Sequence, residues 1–289
     1  MTDGMTNSRA SPLPRLPDLL LGALATLRRR PPRVPPDDSL AARFAVTGID
    51  MAHVARYRDF FDFRGDQVPL TYFYLLAQRA QLALMLDGRF PYPLPGLIHR
   101  RNDMRRHAVA LAGAGLEIDV SVKLFGDVGN VPKIDFDVEI SQAGRRVVSC
   151  TSEYRISARR RDKPAEKVAP DMFPDTYSQT AWTIEKSACR RYAMLSGDYN
   201  PIHLSSLLAR LLGAKGSMAH GMYSVGRVAA HIERQTEMPV TAITADFRRP
   251  ILLPAQAVCG IEVRDGGHGC YGVLLAEPKT LALGGTWET

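Results

Sequence analysis

The stretch LTYFYLLAQRAQLALML, residues 70–86, contains neither Gly nor Pro and carries apolar side chains nearly all round. This composition predicts a buried helix that ends before Asp87-Gly88. The later segments LEIDVSVKL (116–124) and KIDFDVEI (133–140) place apolar residues at every second position. That alternation is typical of antiparallel strands with one face toward the core and one face in water. A helix followed by paired strands is therefore the pattern that decides the fold of the first half.

The same order recurs in the C-terminal half. A second long helix is predicted over MAHGMYSVGRVAAHIER (218–234). This helix is followed by predicted strands at VTAITADFRRPILL (240–253), AVCGIEV (257–263), CYGVLLAE (270–277) and TLALGG (280–285), whereas a strand at RVVSCTSEYRI (146–156) closes the first half. Hairpin turns are predicted at GDVGN (126–130), QAGRR (142–146) and RDGGHG (264–269). Since neither a lone sheet nor a lone helix can bury its apolar face, we expect an α+β double hotdog, in which two antiparallel sheets each wrap around a long central helix.

Composition divides the chain into four parts. Residues 1–43 are rich in Pro and Arg and are expected to form an arm that lies on the body or is partly disordered. Within this arm, PDLLLGALATLRRR (17–30) predicts a short amphipathic helix rather than a secretory signal, because its basic residues follow the apolar run. The other parts are a first hotdog at residues 44–158, a charged linker at 159–177 and a second hotdog at 178–289.

The overall composition is that of a globular protein outside the membrane. The chain has 289 residues, 45% of them hydrophobic and 23% charged, with no uninterrupted apolar run long enough to span a bilayer. Its four cysteines are widely spaced, which favours neither a zinc cage nor a disulfide framework and fits a reducing cytoplasm. The net charge of +7 permits an anionic partner. No nucleic-acid-binding motif surrounds the basic residues, so we expect no nucleic-acid partner and no membrane partner.

The nonapeptide SGDYNPIHL, residues 196–204, follows a predicted amphipathic helix, IEKSACRRYAML (184–195). Gly197 suits the left-handed conformation of a helix terminus. Pro201 pushes Asn200 out of the helical region, so Asp198 and His203 cannot lie on one continuous helix. A loop bent at Pro201 can turn both side chains inward, and from these residues alone both an ordinary surface turn and an acid–base site remain open.

A longer stretch, YAMLSGDYNPIHLSSLLARLLGAKGSMAHGM (192–222), resembles the signature of the MaoC-like, R-specific enoyl-thioester hydratase/dehydratase family. The pattern is Gly-Asp-x-Asn-Pro-aliphatic-His, followed by a small residue and a His-Gly-Met helix start. The matching residues are Gly197, Asp198, Asn200, Pro201, Ile202, His203, Ala209, His220, Gly221 and Met222. The similarity continues through ITADFRRPILLP (243–254) and, more faintly, into the first half. Ser205 departs from it, because many members have an acidic residue at this position.

The resemblance implies a reversible addition of water to a trans-2-enoyl thioester of CoA or of acyl carrier protein. It assigns Asp198 and His203 to the catalytic water, without deciding which removes the proton, and the backbone N–H of Gly221 to the thioester oxygen. It implies no cofactor and no metal, and a homodimer. Because the first half lacks the motif, residues 44–158 are expected to be the non-catalytic hotdog, with room for a long acyl chain, and residues 178–289 the catalytic one.

Six further residues are candidates for binding substrate or orienting the loop: Asn200, Gly197, His220, Met222, Arg248 and Arg249. We expect Asn200 to orient the loop and His220 to form hydrogen bonds at the helix start. Arg248 and Arg249 either reach the phosphates of CoA or are solvated surface residues. His99 and His107 have no Asp partner at matching spacing and are expected to be strand or surface residues.

Two other functions stay open. A hotdog thioesterase would add water to the carbonyl of the same substrate, although the Gly-Asp-x-Asn-Pro-x-His loop speaks against it. A non-catalytic acyl-binding subunit would need a partner for turnover. A nucleic-acid binder would rest on net charge alone.

Overall fold

A computed structural model describes residues 10–30, 38–125, 133–156 and 173–289 of the chain. The predicted turn at 126–130 and most of the predicted linker at 159–177 lie outside the described residues, as does part of the predicted arm.

Eleven strands among the described residues form one continuous sheet. They are β1 (Ser11–Pro12), β2 (Asp38–Val46), β3 (Leu97–Arg106), β4 (Leu116–Phe125), β5 (Lys133–Gln142), β6 (Arg145–Ile156), β7 (Tyr177–Ile184), β8 (Ala242–Phe247), β9 (Ala255–Glu262), β10 (His268–Leu275) and β11 (Thr280–Glu288). Their order in the sheet is β1-β2-β4-β5-β6-β3-β8-β11-β10-β9-β7. Only β1 and β2 pair in parallel, and all other neighbours are antiparallel.

The strand order shows that the fold is built twice. The five strands β2-β4-β5-β6-β3 of the first half are matched, in mirrored order, by β8-β11-β10-β9-β7 of the second. The two expected sheets are joined, because β3 pairs with β8 so that Met104 lies opposite Ile243. An unpaired strand edge presents unsatisfied N–H and C=O groups, and this pairing satisfies both central edges at once. The expected double hotdog is confirmed, with its halves fused along one seam.

Seven helices of the described chain pack on this sheet or connect its strands. They are α1 (Leu16–Ala25), α2 (Met51–Phe61), α3 (Phe73–Leu86), α4 (Lys186–Ser196), α5 (Pro201–Leu204), α6 (Ser206–Leu211) and α7 (Gly221–Thr236). The helices α3 and α7 are the long central helices predicted from the sequence, and a 3-10 turn at Leu70–Tyr72 precedes α3. Most side chains of both helices are buried, which explains why their sequences contain few charges.

The alternation predicted for the first half determines which strand faces meet α3. Ile118 lies opposite Ile140, and Val122 lies opposite Phe136. All four side chains are fully buried, whereas the intervening residues of β5 are at least partly exposed. Because successive side chains of a strand point to opposite faces, this register places one apolar face against the helix.

The described part of the N-terminal arm lies on the body. Arg29, just after α1, donates hydrogen bonds to the carbonyl oxygens of Met85 (2.6 Å), Leu86 (3.1 Å) and Asp87 (2.9 Å). The last carbonyls of a helix lack partners within the helix, so the guanidinium caps the end of α3. The stretch expected to be arm also contributes to the sheet, through β1 and through the start of β2 at Asp38. No helix of the described residues combines the length and the apolar character needed to cross a membrane.

Candidate active site

The loop after α4 has the backbone geometry expected from its glycine and proline. Gly197 is left-handed (φ +76°), and its N–H donates to the carbonyl of Ala193 at 2.8 Å. Asn200 is extended (φ −54°, ψ 122°), and α5 begins at Pro201. The side-chain oxygen of Asn200 accepts a hydrogen bond from the N–H of Ile202 at 3.3 Å. These contacts stabilise the bend, and the side chain of Asn200 forms one of them.

The bend brings together the carboxylate of Asp198 and the imidazoles of His203 and His220. One oxygen or nitrogen atom of each lies within 4.8 Å of the others. A cation could bridge this spacing, and the expectation that the site uses no metal stays a prediction. Asp198 and His203 are half-buried, whereas His220 is only 3% exposed. The side chains of Asp198 and His203 therefore lie close together, as predicted, and the buried His220 lies beside both of them.

Backbone carbonyls determine the tautomers of both histidines, because a carbonyl oxygen can only accept. The Nδ1 of His203 donates to the carbonyl of Met218 at 2.9 Å, so in the neutral ring Nε2 carries the lone pair. The Nε2 of His220 donates to the backbone carbonyl of Asp198 at 3.0 Å. The two rings stack with their centroids 3.7 Å apart. His220 thus steadies both members of the pair, and its Nδ1 is buried without a partner in the described structure.

Each oxygen of the Asp198 carboxylate accepts one hydrogen bond. The N–H of Asn200 donates to Oδ1 at 3.2 Å, and the Nε2 of Gln78 on α3 donates to Oδ2 at 3.0 Å. One amide from the loop and one from the other half of the molecule therefore orient the carboxylate. Lone pairs remain on both oxygens for a water molecule.

The pKa values favour a charged carboxylate beside a neutral His220. Burial would raise the pKa of Asp198, but the neighbouring His220 and His203 and the hydrogen bonds from Gln78 and Asn200 outweigh it and lower this pKa. The pKa of His220 is lowered to about 4, chiefly because burial disfavours the imidazolium and next because His203 lies beside it. At neutral pH, Asp198 can therefore accept a proton, and His220 serves as a hydrogen-bond donor.

The central helix α7 starts at Gly221, directly after His220. No side chain caps this terminus, and the first N–H groups of a helix have no partner within it. Such groups can stabilise negative charge that develops on a substrate oxygen. A Cβ atom at Gly221 would lie 2.6 Å from Cε1 of Phe247 on β8. The close approach of Phe247 is the structural reason for a glycine here.

The remaining predicted residues divide into buried and exposed positions. Met222 is buried at 5% exposure and packs in the core behind the helix start. Arg248 and Arg249 are exposed at the end of β8, where their backbone N–H groups donate to the carbonyl of Ala282. Within the described ranges neither guanidinium forms an ion pair.

His99 and His107 lie where they were expected, in or beside a strand. His99, in β3, packs between the rings of Tyr154 and Phe247, with centroid distances of 4.7 and 4.8 Å. His107 follows β3 and bonds the hydroxyl of Ser149 at 2.8 Å. His99 thus contacts the ring of Phe247.

Sequence reasoning missed two side chains that reach the loop from the first half. Gln78 bonds Asp198, and the Nε2 of His53 on α2 donates to the carbonyl of Leu195 at 2.8 Å. For Gln78, the available signal was the group of polar residues at positions 78, 79 and 81 within a mostly apolar helix. A buried polar group requires a partner, but the sequence does not say which.

Two open surface depressions of about 520 and 300 Å³ lie away from this cluster. The first is lined by the turn before β10, the start of β10 and the end of β11, and the second mostly by charged side chains of β3, β5 and β6. Neither contains Asp198, His203 or Gly221, so the chemistry of the side chains, and not concavity, identifies the candidate site.

The fold places the protein in the hotdog class, and comparisons with known proteins give its family. Residues 168–275 match the MaoC like domain. The chain is 30% identical over 260 residues to 3-hydroxyacyl-thioester dehydratase X of Mycobacterium tuberculosis, covering 87% of this chain and 90% of that protein. The chain therefore belongs to the MaoC-like dehydratase family and is an enzyme of the hydratase/dehydratase class.

Solved structures agree with this assignment. The crystal structure of HtdX from Mycobacterium tuberculosis superposes with a TM-score of 0.68 at 26% identity, covering 85% of this chain and 98% of that one. A MaoC-like dehydratase from Phytophthora capsici gives 0.71 at 16% identity, with 88% and 96% coverage. A 12:0-ACP thioesterase from Umbellularia californica gives 0.52 at 13% identity, with 86% and 96% coverage. The last two likenesses show the fold alone.

Proposed function

We propose that the protein catalyses the reversible hydration of trans-2-enoyl thioesters to (R)-3-hydroxyacyl thioesters. The observation that carries the proposal is the meeting of an ionised carboxylate and an imidazole lone pair, Asp198 and His203, beside the start of α7. The name of the mycobacterial relative, a 3-hydroxyacyl-thioester dehydratase, supports the same chemistry.

The proposed reaction needs one water molecule and one transferred proton. Asp198 and His203 hold the water, and one of them takes its proton while the oxygen adds to C3 of the enoyl group. The proton that then reaches C2 is the one removed from water, so Asp198 and His203 end the reaction in the protonation states in which they began it. Negative charge develops on the thioester oxygen and is stabilised by the N–H of Gly221. Dehydration follows the same steps in reverse.

The substrate is proposed to be a thioester of CoA or of acyl carrier protein, with no cofactor. The basic side chains of Arg248 and Arg249, exposed and outside any ion pair of the described structure, offer contacts for the phosphates of either carrier. A homodimer and a cytoplasmic location also stay predictions. The expected room for a long acyl chain in the first half would appear as a chain-length preference in turnover.

The test is the loss of enoyl-thioester absorbance with crotonyl, medium-chain and long-chain substrates. Asp198→Asn and His203→Ala should each lower the rate about 10²- to 10⁴-fold, as expected when a general acid–base group is lost. His107→Ala removes a histidine distant from the loop and should retain the wild-type rate. Full activity of both site variants would refute the proposed roles.

The same assay separates the two alternatives. A thioesterase would release free thiol without the reversible change in enoyl absorbance. A non-catalytic acyl-binding subunit would bind substrate and show no turnover until a partner was added, whereas the proposed function requires turnover by this chain alone.

A further inference from the structure

We propose that Gln78, from the half of the molecule without the catalytic motif, is a positioning residue for Asp198. This inference rests on the proposed function and deepens it, because it gives the non-catalytic half a defined part in the chemistry. Gln78 acts through Asp198, and no contact with substrate is required of it.

The symmetry of the fold explains how a residue 120 positions away reaches the loop. The two halves meet at the β3–β8 seam, so α3 of the first half occupies the place that α7 occupies in the second. A partly exposed side chain in the middle of α3 can then reach the other half. Gln78 is half-buried there, and its Nε2 lies 3.0 Å from Oδ2 of Asp198.

The bond is directed and has no substitute in the described structure. Among the described residues, the side chain of Gln78 forms a hydrogen bond with Asp198 alone. Oδ2 of Asp198 likewise accepts a hydrogen bond from Gln78 alone. The other oxygen, Oδ1, is held by the N–H of Asn200, which is part of the loop itself. Gln78 therefore restricts rotation of the carboxylate from outside the loop and stabilises its ionised form, lowering the pKa of Asp198.

A second glutamine on the same helix provides a matched control. Gln81 is fully buried one turn along α3, where its Nε2 donates to Ser152 at 2.9 Å and its Oε1 accepts from Tyr154 at 3.2 Å. It does not contact Asp198. Loss of either amide perturbs α3, but only loss of Gln78 should change the titration of the catalytic carboxylate.

The experiment compares Gln78→Met, Gln78→Lys and Gln81→Met by the pH dependence of kcat and kcat/KM. In Gln78→Met the acid limb should move up by about one pH unit, since one hydrogen bond to a charged group is lost. Its kcat should fall about 10-fold with little change in KM. In Gln78→Lys a charged donor replaces the amide, and the acid limb should move below that of the wild type. In Gln81→Met it should stay in place.

An unshifted acid limb in Gln78→Met, or an equal shift in Gln81→Met, would overturn the inference. If Gln78→Met does not fold, Gln78→Asn can be used instead. Its side chain is one methylene shorter and no longer reaches Asp198, so the acid limb should again move up. If the wild type hydrates no enoyl thioester, the proposed function fails. A carbon-13 NMR titration of the Asp198 carboxyl in wild type and Gln78→Met then still decides whether Gln78 controls this group.

Discussion

The start of α7 can be tested by adding a single methyl group. In Gly221→Ala the new Cβ would lie 2.6 Å from Cε1, 2.9 Å from Cδ1 and 3.1 Å from Cζ of Phe247. Carbon atoms in contact are normally about 3.5 to 4.0 Å apart, so helix and ring must separate by about 1 Å. Phe247 packs against His99, which is itself stacked on Tyr154, and a shift of the ring would disturb these contacts. The helix start is therefore expected to move.

The substitution is expected to lower both the rate and the stability. Overpacking of this kind costs about 1 to 3 kcal/mol in the free energy of unfolding. A displacement of about 1 Å at a catalytic group can cost about 10²-fold in rate, and the Gly221 N–H moves with the helix. Initial rates of enoyl-thioester hydration measure the loss of rate, and urea unfolding measures the loss of stability.

A double variant makes the prediction specific. Phe247→Leu removes the ring edge that the methyl group meets, so Gly221→Ala combined with Phe247→Leu should recover at least about 10-fold of the lost rate. Phe247→Leu alone measures the cost of the missing ring. Wild-type kcat in Gly221→Ala, or a double variant no faster than Gly221→Ala while Phe247→Leu remains active, would contradict the reasoning.

Two further predictions concern stability. Burial lowers the pKa of His99 to about 3 and that of His220 to about 4, from 6.5 in the unfolded chain, so the unfolded state binds these protons first. Stability should be complete above pH 6.5 and fall as the pH drops toward 4, by on the order of 3 kcal/mol for each histidine. His99→Phe should flatten the dependence of urea unfolding on pH, and an unchanged slope would contradict this assignment. At Gly197, with φ +76°, replacement by Ala should cost about 1 to 2 kcal/mol and replacement by Asn less. Equal unfolding midpoints for the two variants would show that the left-handed backbone is not the cause.

The main elements and the bend that carries Asp198 and His203 were predictable because they depend on local pattern. Alternation in LEIDVSVKL and KIDFDVEI specifies which side chains face the core, and the structure pairs Ile118 with Ile140 as that alternation requires. The bend at Gly197 and Pro201 is likewise a local property, since each residue restricts or permits its own backbone angles. The family motif then indicated that Asp198 and His203 share one task.

The contacts of Gln78, Arg29 and Phe247 were not predictable in the same way. Each joins residues separated by tens of positions, and nothing within a local window selects the partner of a buried amide or guanidinium. The expected arm illustrates the limit, because its Pro and Arg content concealed a strand that begins at Asp38 and pairs with β4.

By itself, the sequence determined the helices, the strand faces and the bend that carries the catalytic pair, because periodicity and backbone preference act over a few residues. Only the tertiary structure decided that the two sheets join at β3 and β8. That seam brings α3 of the first half to the carboxylate of the second. Such contacts depend on how whole elements pack, and packing is a property of surfaces that meet only when the chain has folded.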